Sequence, residues 1–218
     1  MNVWRDYMVS MGFGYKLGVD LPGEVRGMIP NAQFYDKAYR ASWNGLTVIS
    51  IAIGQGEVTL TPLQIANLCA TIANRGKYIT PHVVKNVEND TLASQYLTPR
   101  TTMASSKAYE SVVAGMRQAV LAGTCRAANL PDIEVCGKTG TAQNKGKDHS
   151  AFIGFAPMKE PKIALAVYVE NGGFGATYAV PIGALLMEQY LKGELSESSK
   201  IKADEMQKRI IYYGEPER

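Results

Sequence analysis

The sequence predicts an α+β fold, with helices packed on an antiparallel sheet, because the apolar period changes along the chain. Before Pro131 apolar residues recur at helical spacing; after it they alternate in three successive short runs joined by turn-rich connections. A last helical stretch follows the third run.

The elements read in order as follows. Val3, Trp4, Tyr7, Met8 and Met11 mark an amphipathic helix, expected to turn Trp4 and Tyr7 inwards and to stop at Gly12. It starts at Met1 with no capping residue, which suits either a native start with a frayed turn or a chain that has lost its beginning. Residues 12–45 have loop composition, and long ordered loops tend to serve a site. An apolar run, Val48 to Ile53, is closed by Gly54-Gln55-Gly56. Thr61-Pro62-Leu63-Gln64 reads as a helix start: Thr61 can cap, Pro62 suits the first position, and Gln64 completes a capping box. That helix should bury Ile65, Cys69 and Ile72 and stop at Gly76. The next should begin near Ser105 or Ser106, bury Val112, Met116, Ala119 and Val120, and end by Gly123.

The alternating runs begin at Ile133, Ala151 and Ile163. The third is apolar almost throughout and is expected to be covered on both faces. The final helix should run from about Val180 to Gly193, followed by a segment of mixed charge that reads as a solvated helix and a loose end.

Composition narrows the function. With 218 residues, 46% hydrophobic and 20% charged, the chain can bury a core without staples. A net charge of +3 is too mild to argue for nucleic acid. No stretch reaches the roughly 18–20 apolar residues of a membrane span, and no signal peptide is recognisable at the N-terminus. Cys69, Cys125 and Cys136 form no C-x-x-C pair, and His82 and His149 stand far apart, so neither a zinc site nor any other cofactor is expected.

One short run carries chemistry, Lys138-Thr139-Gly140-Thr141 on the first alternating stretch. Lys138 supplies a fixed positive charge. Thr139 and Thr141 place two hydroxyls on one strand face, and Gly140 between them lets a substrate backbone lie close. Such a strand suits recognition of a carboxylate. Alternation sends Lys138 to the opposite face from Thr139, so both can serve one cleft only around an edge strand. A solvated lysine beside β-forming threonines is the plain alternative.

Further segments change that balance. Gly18-Val19-Asp20-Leu21-Pro22-Gly23-Glu24, Gly54-Gln55-Gly56-Glu57-Val58-Thr59-Leu60-Thr61-Pro62-Leu63-Gln64, Lys138 to Gln143 with Lys147-Asp148-His149, and Ala164 to Gly173 occur in this order. Together they resemble the class B penicillin-binding proteins, above all their elongation-specific penicillin-binding protein 2 branch, over most of the chain. The resemblance implies the transpeptidase fold shared with serine β-lactamases. It also implies an enzyme that cross-links cell-wall stem peptides: a serine attacks the penultimate D-Ala carbonyl, D-Ala leaves, and a neighbouring amine takes the acyl group. β-Lactams acylate the same serine. Lys138 then corresponds to the catalytic motif lysine, Thr139, Gly140 and Thr141 to the substrate-binding strand, and the Thr141 amide to an oxyanion donor. The implied partners are peptidoglycan stem peptide, β-lactam antibiotics and the cell-wall elongation machinery. The implied location is the periplasmic face of the inner membrane, although no anchor is recognisable here.

The chain is expected to depart from that family in its nucleophile, which the family carries as Ser-x-x-Lys. Ser105-Ser106-Lys107 is misspaced, and Ser196-Glu197-Ser198-Ser199-Lys200 lies in the charged tail. Ser42-Trp43-Asn44 fits the letters of the family's Ser-x-Asn motif, but it lies on the wrong side of the Leu21-Pro22-Gly23-Glu24 segment. The expectation is therefore that residues 1–195 form the C-terminal part of a transpeptidase domain, 196–218 a charged tail, and that the chain is inactive alone. It should also expose apolar surface around Trp4 and Tyr7. Two other classes compete: a non-catalytic module that binds cell-wall peptide or β-lactam, and a nucleotide-binding protein using Gly54-Gln55-Gly56. The latter lacks the remaining glycine and the phosphate lysine.

Overall fold

The computed structural model describes residues 1–39 and 43–212. They divide into two compact units, Met1–Ser106 and Lys107–Arg218.

In the first unit, α1 (Asn2–Ser10) is followed by Gly12 at a φ of 99°. No α1 side chain is buried, and Val3 and Tyr7 are 70% and 39% exposed. The stripe expected to face inwards is thus only partly covered, with Trp4, Met8 and Met11 half-buried, and Phe13 and Leu17, just beyond the helix, enter the core instead. α2 (Ala32–Ala38) interrupts the expected loop. Its start is set by Asn31, whose side chain accepts from the Phe34 N–H at 2.8 Å. α3 (Gly45–Ala52) holds the apolar run, with only Ile51 buried. Ser42 lies outside the described residues. Asn44, the last letter of the Ser-x-Asn match, is the α3 cap, accepting from the Leu46 N–H at 2.9 Å.

α4 (Pro62–Ala73) starts as its letters predict. The Gln64 N–H donates to Thr61 Oγ1 at 3.1 Å, and the Thr61 N–H donates to Gln64 Oε1 at 3.0 Å. β1 (Lys77–Tyr78) and β2 (Arg100–Thr101) then pair antiparallel.

Two of the recognisable segments wire this unit together. Gln64 is 2% exposed, and its Nε2 lies 3.4, 3.2 and 3.0 Å from the carbonyls of Gly12, Tyr15 and Arg26. Glu24 accepts from the N–H groups of Leu17, Gly18 and Val19, so a carboxylate fills a cup of consecutive amides. Asp20 accepts from the Val83 and Val84 N–H groups, and that hydrogen bonding holds its carboxyl below the usual range against the opposing effect of burial. Tyr35 and Tyr39 donate their hydroxyls to Glu57, which lowers its carboxyl as well. Gly27 faces the Thr59 carbonyl so closely that a Cβ would sit 2.4 Å from that oxygen. These letters fasten loops to helices.

In the second unit, α5 (Ser106–Leu121) begins at the unit boundary and buries Tyr109, Val113, Met116 and Val120. The expected stripe is therefore one residue out at its start, since Val112 is 46% exposed. β3 (Cys136–Ala142), β4 (His149–Ala156) and β5 (Ile163–Val169) form an antiparallel meander in that spatial order. α6 (Ala179–Lys192) packs on it and stops at Gly193, whose φ of 82° suits glycine. α7 (Glu197–Gln207) follows.

Phe152 on β4 is the centre of this core. Cβ atoms built on Gly137, Gly154 and Gly183 would lie 2.5, 2.6 and 2.5 Å from its ring. Glycines from β3, β4 and α6 thus wall a slot that only an aromatic side chain fills. β5 differs from its expectation. Ile163, Leu165 and Val167 pack on the core, but every β5 residue is at least partly exposed and Tyr168 is 39% exposed. One alternating face, Ile163, Leu165 and Val167, meets the core, and β5 pairs with β4 alone and ends the three-stranded sheet.

α7 is fastened by a buried carboxylate. Glu188 is 1% exposed, accepts from the Ser199 hydroxyl and from the Ser196 N–H at 3.3 Å, and lies 3.9 Å from Lys192. Burial pushes its carboxyl up, but the Ser199 and Ser196 hydrogen bonds and the Lys192 charge together hold it below the usual range. A lowered carboxyl stabilises the fold above the ordinary carboxylate pKa of about 4.3 and loses that contribution as pH falls through its folded value. Glu188→Gln should cost about 1–3 kcal/mol at neutral pH and flatten the acid limb of the stability curve. Urea midpoints measured from neutral pH into the acid range check this; an unchanged acid limb would remove Glu188 as its cause.

Candidate active site

Lys138 to Thr141 lie within β3, whose partner register sets Thr139 opposite Phe152, Gly140 opposite Ala151 and Thr141 opposite Ser150. β3 ends the described sheet on the side away from β5, so the four residues occupy an edge strand. That is the geometry in which alternating side chains can serve one cleft around the strand's rim. Lys138 is exposed, and its Nζ rests on the Thr139 carbonyl of its own strand at 2.7 Å. Thr139, Gly140 and Thr141 are half-buried.

Thr139 has a partner that no sequence pattern announced. Its Oγ1 is 2.7 Å from Oγ1 of Thr124, in the turn after α5. The two are 15 positions apart, and only closure of that turn onto β3 brings them together. Two hydroxyls so placed can share protons and turn a donor towards an anion. Cys125 is fully buried beside them. Burial pushes its thiol up, against opposing hydrogen bonds from Thr124 and Thr139 and the Lys138 charge, so it is no nucleophile at neutral pH.

The floor beside Thr139 is a strapped loop, residues 171–178. Ser150 donates its hydroxyl to the Phe174 carbonyl at 2.9 Å and accepts from the Ala179 N–H at 3.1 Å. The Gly173 N–H donates to the Asp148 carbonyl at 2.8 Å, and the Asn171 N–H to His149 Nδ1 at 3.0 Å. Gly175 touches the site strand itself: a Cβ there would lie 2.5 Å from the Ala151 carbonyl, 2.7 Å from the Gly140 carbonyl and 3.0 Å from Thr139 Cβ. Its φ is ordinary, so space alone requires glycine.

The expected lack of Ser-x-x-Lys needs one correction. Ser199 and Lys202 do stand three residues apart, on α7. Ser199 is 4% exposed and gives its hydroxyl to the Glu188 carboxylate, while Lys202 is exposed. The match is a helix fastening in letters that happen to coincide. Among the described residues, no group of three or more His, Cys, Asp or Glu could hold a metal ion.

Residues 1–188 match the family model described as the penicillin-binding protein transpeptidase domain. The chain belongs to that family. Within it, the chain resembles the penicillin-binding protein 2 branch: it is 37% identical to the peptidoglycan D,D-transpeptidase MrdA of Acinetobacter baumannii, over 82% of this chain and 29% of that protein. The Pseudomonas aeruginosa PBP2 structure in complex with WCK 5153 superimposes with a TM-score of 0.76 at 34% identity, covering 88% of this chain and 43% of that one. The Helicobacter pylori PBP2–MreC complex gives a TM-score of 0.72 at 29% identity, covering 86% of this chain and 35% of that one. This transpeptidase chain spans about a third of the length of the curated relatives it matches. No helix among its described residues is long and apolar enough to cross a membrane.

Proposed function

We propose that this chain supplies the Lys-Thr-Gly side of a peptidoglycan D,D-transpeptidase site, the side that grips the substrate carboxylate and polarises the carbonyl under attack. The carrying observation is the edge strand β3, with Lys138, Thr139, Gly140 and Thr141 in sequence and Thr139 paired to Thr124. A terminal carboxylate at the strand rim meets the threonine hydroxyls and the Lys138 ammonium, which leaves the Thr139 carbonyl to do so. The Thr141 amide serves as an oxyanion donor, a contribution worth about 3–4 kcal/mol of barrier in other acyl-transfer enzymes. The nucleophile comes from elsewhere in the intact protein, since Ser199 is engaged by Glu188. The attacking serine forms an ester with the penultimate D-Ala and expels D-Ala. An amine from a neighbouring stem peptide then takes the acyl group and frees the serine.

By the same family reasoning, the intact protein is acylated by β-lactams, works at the periplasmic face of the inner membrane and joins the elongation machinery. The relative seen with MreC supports that partnership.

Intact-mass measurement of the 218-residue chain after incubation with benzylpenicillin should find no adduct; an adduct on any serine would overturn the assignment of a missing nucleophile. Titration with an acylated D-Ala-D-Ala peptide should shift β3 amide resonances, and Lys138→Ala should weaken that binding about tenfold, the loss of one charge-assisted contact. Absence of any β3 response would refute the carboxylate-gripping role.

A further inference from the structure

α7 lies beyond the span matched by the transpeptidase family model, which ends at residue 188. Its start is fastened to α6 by the Glu188 carboxylate, and it packs on that helix. Its far end turns at Lys208, where the Arg209 N–H donates to the Met206 carbonyl at 3.2 Å. The Arg209 side chain then reaches a stretch 32 positions earlier. Its Nη1 donates to the Thr177 carbonyl at 2.7 Å, and the guanidinium carbon lies 5.5 Å from the centre of the Tyr178 ring. One planar cation thus makes a hydrogen bond and a ring contact together, which fixes its orientation.

Thr177 and Tyr178 are where such a hold has consequences. Tyr178 is the N-cap of α6 and makes no side-chain cap hydrogen bond, so the helix start takes its position from its neighbours. The Thr177 N–H donates to the Phe174 carbonyl at 2.9 Å and the Val180 N–H to the Gly175 carbonyl at 3.0 Å, which makes 174–180 one hydrogen-bonded turn. Within it, Gly175 lies so close to the Gly140 carbonyl and Thr139 Cβ that not even a Cβ fits between. A shift of the turn towards β3 is therefore passed to the strand, and a shift away opens a gap beside Thr139.

We propose that Arg209 is a positioning residue for the site strand. From the end of α7 it holds the 174–178 turn against β3, and through Gly175 it sets where Gly140 and Thr141 stand. The consequence for binding rests on the carboxylate-gripping role of Lys138 to Thr141.

Amide spectra of the full chain test this, with Lys208→Ala as the control for loss of one exposed positive charge. Arg209→Ala should move the Gly175, Gly140 and Thr141 resonances and speed amide exchange across 174–180. The urea midpoint should change little, since Arg209 is exposed. Lys208→Ala should leave Gly140 and Thr141 in place. Arg209→Lys keeps a donor and a charge within reach of the Thr177 carbonyl and should return the resonances most of the way. Titration with the acylated D-Ala-D-Ala peptide should show binding about threefold weaker in Arg209→Ala and near wild type in Lys208→Ala. Shifts confined to α7 and the 174–178 turn, equal shifts in Lys208→Ala, an Arg209→Lys chain as displaced as Arg209→Ala, or an unaltered peptide affinity would each overturn the proposal. A wild type that binds no peptide would count against the carboxylate-gripping role instead, and the resonances of the free chain would still decide Arg209.

Discussion

Phe152→Ala is expected to cost about 3–5 kcal/mol, the range for emptying a buried aromatic site. Typical total stabilities are about 5–15 kcal/mol, so a large share would go and the melting temperature should fall by roughly 10 °C. The size follows from the slot. The ring is enclosed by Gly137, Gly154 and Gly183 and belongs to the core cluster with Val135, Val180 and Met187. With no side chains on those glycine walls, little can collapse into the space. The converse change, Gly183→Ala, overfills the slot and should cost about 1–3 kcal/mol. In the Phe152→Ala background the same methyl should cost far less, a coupling of about 1 kcal/mol or more. Urea denaturation of the four chains measures it; additive costs would show that the slot is not shared. Because Phe152 lies opposite Thr139, the loss should also reach the site strand.

Gln64→Ala is expected to cost about 3 kcal/mol through a different mechanism. One buried amide donates towards the carbonyls of Gly12, Tyr15 and Arg26 and accepts from the Thr61 N–H. Removing it strands several groups where water has little access, and the cost lies in the groups left unpaired. Gln64→Glu is the sharper experiment. It preserves shape and the acceptor for Thr61, yet aims a carboxylate at three carbonyl oxygens. It should lose at least as much as Ala, with faster amide exchange over residues 12–27. A Glu variant as stable as wild type would remove the amide from its assigned role.

Much of this was legible in sequence because the signals were local. The Thr61–Gln64 capping box, the second and third alternating runs and the Gly193 stop each need only a few adjacent residues, and each stands close to where its letters put it; the first run becomes strand only at Cys136, since Ile133 makes no more than an isolated bridge to Leu130. The α2 helix was not legible: seven residues are too few for a periodic stripe, and its start rests on one Asn31 cap amid loop-like composition. The apolar stripe of α1 was legible, and so was its exposure around Tyr7, but amphipathicity says which face is apolar, not what covers it. β5 was misread for the same reason: apolar letters on both faces describe a strand that could be covered, while the elements packed above and below the sheet decide whether it is.

The site divides in the same way. Lys138 to Thr141 were recognisable as a short run on one strand. Thr124 was invisible, because its hydroxyl meets Thr139 only through the closure of a turn. Ser199 and Lys202 carry the Ser-x-x-Lys spacing, which the sequence reading passed over, but the Ser199 hydroxyl is already taken by Glu188. The Gly18–Glu24 and Gly54–Gln64 segments, which made the family recognisable, hold loops and helices in place, so the letters that identify the family and those that grip a substrate are largely different letters.

The contact made by Gly175 bears on how inherited variation in such a chain would be scored. A survey that tallies changes only at residues lining the groove would pass over position 175, which contributes no side chain to it. Yet any replacement adds a carbon wedged between two carbonyl oxygens, one of them the Gly140 carbonyl, and the strand must move to admit it. A change at position 175, catalogued as a loop polymorphism, would therefore displace the Lys138–Thr141 strand from a site with no chemistry of its own.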